Sequence, residues 1–409
     1  MHCHHAVHKQ MRHAVPALFA GIVVATLAVG AVAQSVSVPL ALDHWMISEK
    51  NERISPEKSL ENNGRIVEHR GRQSLKLAKG FAYVHDLQLQ NGTIDADVAF
   101  STEGDFIGLA FRVQSEDEYE LFFFRAGTSG NEALQYTPGF KGANAWQLYN
   151  VPTYAGAGEL PQGDQWFHVR IVFSGLEARL FLNNATKASL VIPDLKQGYS
   201  NGSIGFWGQS GGGYISNVSY ARDEKSYDPA VRKDFPPGTL TEWELSEAFD
   251  AGERDPAAYP DVQQLKWEKV QAESPGMVAV MRYRRDPNVI PPQDPPGAAS
   301  GTASSALVPG SKFVFAKTTI HSEADEMRKL KIGYSDKVIV FLNGRPIFSG
   351  NNSFGAREHG FLGLINPENE AVYLPLKKGD NELMLAVTEF FGGWGFLCRL
   401  SPSVGESSH

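Results

Sequence analysis

Residues 106–149 read FIGLAFRVQSEDEYELFFFRAGTSGNEALQYTPGFKGANAWQLY. Two very apolar runs of strand length stand out, residues 106–113 and 119–126. In an extended chain successive side chains point to opposite faces. Ile107, Leu109, Phe111 and Val113 then share one side of the first run, and Gly108, Ala110 and Arg112 the other. Two small residues and an arginine make a poor core stripe but a good groove floor. Small side chains let a ligand approach the backbone, and a guanidinium donates hydrogen bonds in a plane.

The second run is apolar on both faces, with Tyr119, Phe123 and Arg125 on one and Glu120, Phe122 and Phe124 on the other. Such a strand lies centrally and is covered on both sides. Polar and aromatic groups recur through the stretch. Arg112, Tyr119, Glu120, Arg125, Gln135, Tyr136, Trp146 and Tyr149 are the candidate ligand-binding residues. Flat aromatic surfaces suit the C–H faces of sugars, and polar groups among them need a reason to be there.

The rest of the first 222 residues repeats this pattern of short runs and turns. Ile94, Ala96, Val98 and Phe100 form one face of a strand, Thr93, Asp95 and Asp97 the other. Further strands are expected at 166–173, 178–183, 188–192, 202–207 and 214–220, with a hairpin turn at Ser174-Gly175. No helix is expected in this unit beyond a turn near Pro56. A charged, Pro-containing connector (223–238) leads to a second unit, 239–401, with a strand expected at 277–281. Within it, residues 285–310 are rich in Pro, Gly, Ala and Ser and read as an extended insertion. Asn343-Gly344 between two apolar runs is a strong hairpin signal.

The fold class is therefore all-β: two antiparallel β-sandwich (jelly-roll) domains in tandem after a signal peptide. The 409 residues suit more than one domain, and 40 glycines with 11% aromatic residues favour strands and tight turns. The net charge of −8 argues against a nucleic-acid partner and is compatible with a neutral ligand. Residues 17–33 carry no charge and end in Ala31-Val32-Ala33, a pattern that signal peptidase accepts. The expectation is a cleaved signal peptide (1–33), no membrane span in the mature chain, and a secreted or periplasmic location. Cys3 leaves with that segment, so Cys398 has no partner in the chain and no disulfide is expected.

Residues 92–97, Gly108 to Arg112, Tyr119-Glu120, Arg125, Gln135 to Pro138, Trp146 to Tyr149 and Trp166 to Val169 carry a resemblance to the concanavalin A-like jelly rolls. It extends to laminin G-like modules and the related bacterial 3-keto-disaccharide hydrolase domain. The second unit, with its Asn343-Gly344-Arg345 turn and Lys377-Lys378-Gly379-Asp380-Asn381-Glu382-Leu383, resembles the galactose-binding-like jelly roll that accompanies many glycoside hydrolases. The resemblance implies a carbohydrate partner, a poly- or oligosaccharide held without catalysis. Two alternatives stand beside it: a glycoside hydrolase using Glu120 or Asp97 with Arg125, and an envelope adhesion module that binds proteins. It also allows structural calcium at Asp95 and Asp97; no other cofactor or metal is implied.

Two motif-like stretches carry no chemistry. Glu116-Asp117-Glu118-Tyr119-Glu120 approximates the paired-carboxylate strand of laminarinase-like enzymes, but it sits where a hairpin turns. Gly208-Gln209-Ser210-Gly211-Gly212 spells a nucleophile elbow, yet a strand follows where the elbow needs a helix.

Overall fold

The sheets follow from the alternation just described. In a computed structural model, residues 34–48, 64–128, 132–161, 163–223, 235–286, 311–357, 361–389 and 392–402 are described. The targeting segment, Cys3, Pro56, most of the connector and most of the Pro/Gly-rich insertion lie outside them.

Four antiparallel sheets make up the described chain, the first two of eight strands each, the others of seven and four. The first sheet runs Leu190–Ile192, Glu177–Leu182, Phe167–Ser174, Gly92–Phe100, Gly213–Arg222, Arg72–Leu77, Arg65–His69, with Val36–Ser37 also on Gly213–Arg222. The second runs Ala143–Asn144, Leu134–Phe140, Glu118–Arg125, Phe106–Ser115, Ser203–Gln209, Gly80–Val84, Trp45–Ser48, with Ala155–Gly156 also on Leu134–Phe140. Glu118–Arg125 is a central strand, as its two apolar faces require. Between these sheets pack the inward sets Ile94, Val98, Phe100 and Ile107, Leu109, Phe111, Phe122, Phe124.

The third and fourth sheets are built from residues 242–400. Glu268–Gln271, Glu242–Leu245, Lys312–Ser322, Gly379–Thr388, Lys337–Leu342 and Arg345–Asn351 form the path of the third, with Phe249–Asp250 beside Lys312–Ser322. Met277–Val278, Gly395–Leu400, Glu326–Ser335 and Glu370–Leu376 form the fourth. Asn343 and Gly344 both have positive φ (49° and 79°) and turn the hairpin between Lys337–Leu342 and Arg345–Asn351. The run at 277–281 departs from expectation. Only Met277–Val278 is strand, and Val280–Arg284 is a short helix that buries Val280 and Met281. Five apolar residues are too few for periodicity to separate strand from helix.

The two sandwiches share one continuous hydrophobic core. Their contact mixes apolar and polar groups and is made by residues 140–154 and 194–197 of the first against 273–285, 335, 354, 362–365 and 392–395 of the second. Lys196 donates to Asp194 (2.8 Å) and to the Ser274 carbonyl (2.8 Å); Arg282 donates to the Lys196 carbonyl (2.8 Å) and to Glu273 (3.0 Å). The Tyr149 hydroxyl donates to Glu273, and Arg285 pairs with buried Glu389 at 3.0 Å. Buried charges of this kind are tolerable because each is paired and hydrogen-bonded. Cys398 is buried in the same core, and burial pushes its thiol pKa up.

Candidate functional site

The outer face of the second sheet holds an unusual concentration of rings. Strand register aligns Phe81, Trp207, Gly108, Phe123 and Gln135 in one row across five strands. Tyr83, Gly205, Ala110, Leu121 and Thr137 make the next row. Phe81, Tyr119, Phe123 and Trp207 are buried against one another, with Tyr83, Phe106 and Trp146 half-buried at their margin. Phe81 and Tyr119 stack with ring centroids 4.6 Å apart, and Phe123 meets Trp207 edge-on at 5.9 Å.

Two glycines make room for this layer. A Cβ on Gly108 would stand 2.6 Å from Leu121 Cδ1 and 2.9 Å from the Phe122 carbonyl oxygen. A Cβ on Gly205 would meet the tip of the Phe81 ring at 2.7 Å. Arg125 caps the layer on one side, its guanidinium 4.6 Å from the centre of the Phe123 ring. It donates to Gln135 Oε1 (2.7 Å), and Gln135 Nε2 donates to the Trp146 carbonyl (2.7 Å). Burial pulls the Arg125 pKa down to about 10, which leaves it a cation at neutral pH. The Trp146 ring then meets Phe354 of the second sandwich, edge-on at 6.3 Å.

Of the eight residues chosen from sequence, Tyr119, Arg125, Gln135 and Trp146 meet on this face. The other four turn away from it. Arg112 has φ +48°, and the register shifts on both flanks of its strand between Phe111 and Ser115 and between Ser203 and Gly205. This bulge resets the alternation, so Val113 joins the outer aromatic cluster and Arg112 turns into the interior. There the guanidinium donates to the carbonyls of Gln90 (2.9 Å), Gly198 (2.9 Å) and Gly175 (2.6 Å), stapling three loops. It is not the edge of a groove.

Glu120 faces the core, where it accepts from the Tyr136 hydroxyl (2.5 Å) and the Gln197 amide (2.8 Å). Burial raises its pKa above the ordinary carboxylate range, against the opposing pull of Tyr136 and Gln197. Tyr136 is also core, its oxygen accepting from the Lys196 amide at 2.9 Å. Tyr149 is buried at the domain contact through Glu273. Burial raises both tyrosine pKa values, so both hydroxyls stay protonated donors.

The carboxylates weighed for hydrolysis are dispersed. Glu120 is inside the first sandwich, Arg125 is on the outer face of the second sheet, and Asp97 is on the outer face of the first. Asp97 holds Arg72 (2.7 Å), Asn217 (2.7 Å) and His168 (2.9 Å), while Asp95 holds Arg170 (2.7 Å) and His168 (3.0 Å). Both carboxylates are thus engaged by side chains of neighbouring strands. Among the described residues no group of three or more His, Cys, Asp or Glu is placed to hold a metal ion. Glu116 and Asp117 form the hairpin turn, and Glu118 accepts from Lys141 N (3.0 Å) and Gln197 Nε2 (2.9 Å). Ser210, at φ +50°, lies in the turn between Ser203–Gln209 and Gly213–Arg222.

Phe81, Tyr83 and Trp207 were not among the sequence candidates. Their signal is ordinary alternation in GFAYV (80–84) and SIGFWGQ (203–209). Only the strand order brings them beside residues 106–126.

Fold and face together define an antiparallel β-sandwich with a ring-paved outer sheet. No family model and no curated protein matches the chain. Among solved structures, 44% of it is similar to 95% of the carbohydrate-binding module CBM66 from Bacillus subtilis, at 13% identity and TM-score 0.32. For the VIP36 exoplasmic/lumenal domain, bound to Ca2+ and Man3GlcNAc, the shares are 48% and 90%, with 10% identity and TM-score 0.32. For toad ovary galectin in complex with thio-digalactose they are 35% and 99%, with 10% identity and TM-score 0.27.

Proposed function

We propose that the chain is an exported carbohydrate-binding protein that holds a poly- or oligosaccharide on the outer face of the second sheet, without cleaving it. One observation carries this reading: seven rings lie on a single sheet face over a floor of Gly108, Ala110 and Gly205, with Arg125 and Gln135 beside them. Sugar rings present apolar C–H faces to such rings and hydroxyls to the amide and guanidinium. The half-buried set, Tyr83, Phe106, Trp146 and Arg125, is the part a ligand would reach. Export rests on the sequence of residues 17–33.

The test is an unbiased glycan array probed with the full chain, followed by titration of any hit. Tyr83→Ala and Trp146→Ala should each weaken binding by about tenfold, the loss of one stacked ring with its polar neighbours. An array on which the wild type binds nothing sinks the proposal. Release of reducing ends from a bound oligosaccharide would replace binding by hydrolysis.

A further inference from the structure

A separate surface on the second sandwich carries chemistry that neither the aromatic face nor the domain contact uses. On the fourth sheet, alternation buries Leu330, Ile332, Val372, Leu374 and Leu376. It turns Met327, Lys329 and Lys331 outward from Glu326–Ser335. Register places Lys329 opposite Tyr373, Met327 opposite Pro375, and Lys331 between Ala371 and Arg399. Tyr373 is 63% exposed and Met327 55%, and Glu370–Leu376 is an edge strand.

Three cations thus share one small face of a chain whose net charge is −8. The carboxylate among them is Glu368, 2.6 Å from Lys331 Nζ and 4.0 Å from Arg399. Lys331 first, then Arg399 and Lys329, hold the Glu368 carboxyl below its ordinary range. The cluster still has donor capacity, because an ammonium offers three donors and Glu368 takes one from Lys331 at 2.6 Å.

We propose that this face binds an acidic polysaccharide, a polyuronate chain, whose carboxylates lie on Lys329, Lys331 and Arg399 while one sugar ring rests on Tyr373. A carboxylate is the anion that the cluster already grips. The flat, exposed Tyr373 ring beside Lys329 offers a stacking surface that a bare anion does not need. Glu368 competes for the same cations and limits affinity. The inference does not depend on the aromatic face of the first sandwich.

The test is affinity electrophoresis of the full chain through gels containing alginate, with heparin gels and flotation on phosphatidylglycerol vesicles as controls. Alginate should retard the wild type, and less so as salt is raised. The double variant Lys329→Ala/Lys331→Ala should weaken this by about tenfold or more. Tyr373→Ala should weaken it severalfold, and Glu368→Gln should strengthen it. The proposal is overturned if alginate does not retard the wild type or if the double variant behaves like it. Stronger capture by heparin or by the vesicles also overturns it, pointing to a sulfated polymer or a lipid headgroup. Trp207→Ala on the aromatic face should leave alginate retardation unchanged. If it abolishes retardation while the lysine variant does not, the acidic chain occupies the first sandwich, and this inference fails while the earlier one stands.

Discussion

The Tyr149 hydroxyl of the first sandwich donates to the Glu273 carboxylate of the second, and the same carboxylate accepts from Arg282 at 3.0 Å. One side chain therefore ties a loop of one sandwich to a short helix in the other. The two units are held by a paired, mostly buried network, and single substitutions in it should be felt by the whole chain.

Glu273→Ala leaves Arg282 without its carboxylate, while Lys196 keeps Asp194 at 2.8 Å. The expected cost is about 2–4 kcal/mol, because an uncompensated charge remains in a half-buried contact. Tyr149→Phe removes one hydrogen bond but leaves Glu273 its Arg282 partner, and should cost about 1–2 kcal/mol. Urea unfolding of both variants checks the order. A larger loss for Tyr149→Phe than for Glu273→Ala would contradict the network.

Glu120 sets a pH dependence of known sign. Its folded pKa is raised by burial, so folding favours its protonated form. Its contribution is most favourable below the unfolded pKa and is lost as pH rises through the raised folded value. Glu120→Gln removes that loss. The Tm of the variant should gain on that of the wild type as pH rises above about 4, the range of the unfolded carboxyl. A gap that moves the other way would mean that Tyr136 and Gln197 outweigh the burial.

Arg112 is a staple, and its removal should cost stability. Arg112→Ala leaves the carbonyls of Gln90, Gly175 and Gly198 without their guanidinium donors. A loss of about 3–5 kcal/mol is expected from unpaired buried acceptors and a cavity. Measured below its Tm, the variant should keep the wild-type affinity for any glycan found on the array.

Gly108 tests the floor of the aromatic face. Gly108→Ala forces a Cβ to within 2.9 Å of the Phe122 carbonyl, a backbone atom that cannot step aside. Gly205→Ala meets only the tip of the Phe81 ring, which can swing. The first should lower Tm more than the second, by differential scanning calorimetry, and both should weaken glycan binding by displacing rings.

How much of this was legible in the chain depends on the range of the physics involved. Alternation is a property of neighbours. Residues 94–100, 106–113 and 119–126 therefore announced their strands and faces, and Asn343-Gly344 announced its hairpin. The same local rule failed at Arg112, because a bulge with positive φ moves every later side chain to the opposite face. It also could not separate an aromatic of the outer face from one of the core. Tyr136 and Tyr149 look like Tyr119 in sequence, yet Tyr119 packs on the outer face while Tyr136 points into the core and Tyr149 meets Glu273 at the domain contact.

The sequence by itself determined an all-β chain, its strand faces and the small-residue floor of residues 106–113, since these follow from side-chain period and turn chemistry. Tertiary structure decided the rest. It set which strands lie side by side, and so brought Phe81, Tyr83 and Trp207 to that floor. It also turned half of the candidate residues into core or domain contact. Pairing across more than a hundred residues is fixed by the packing of the whole sheet, which no local pattern encodes.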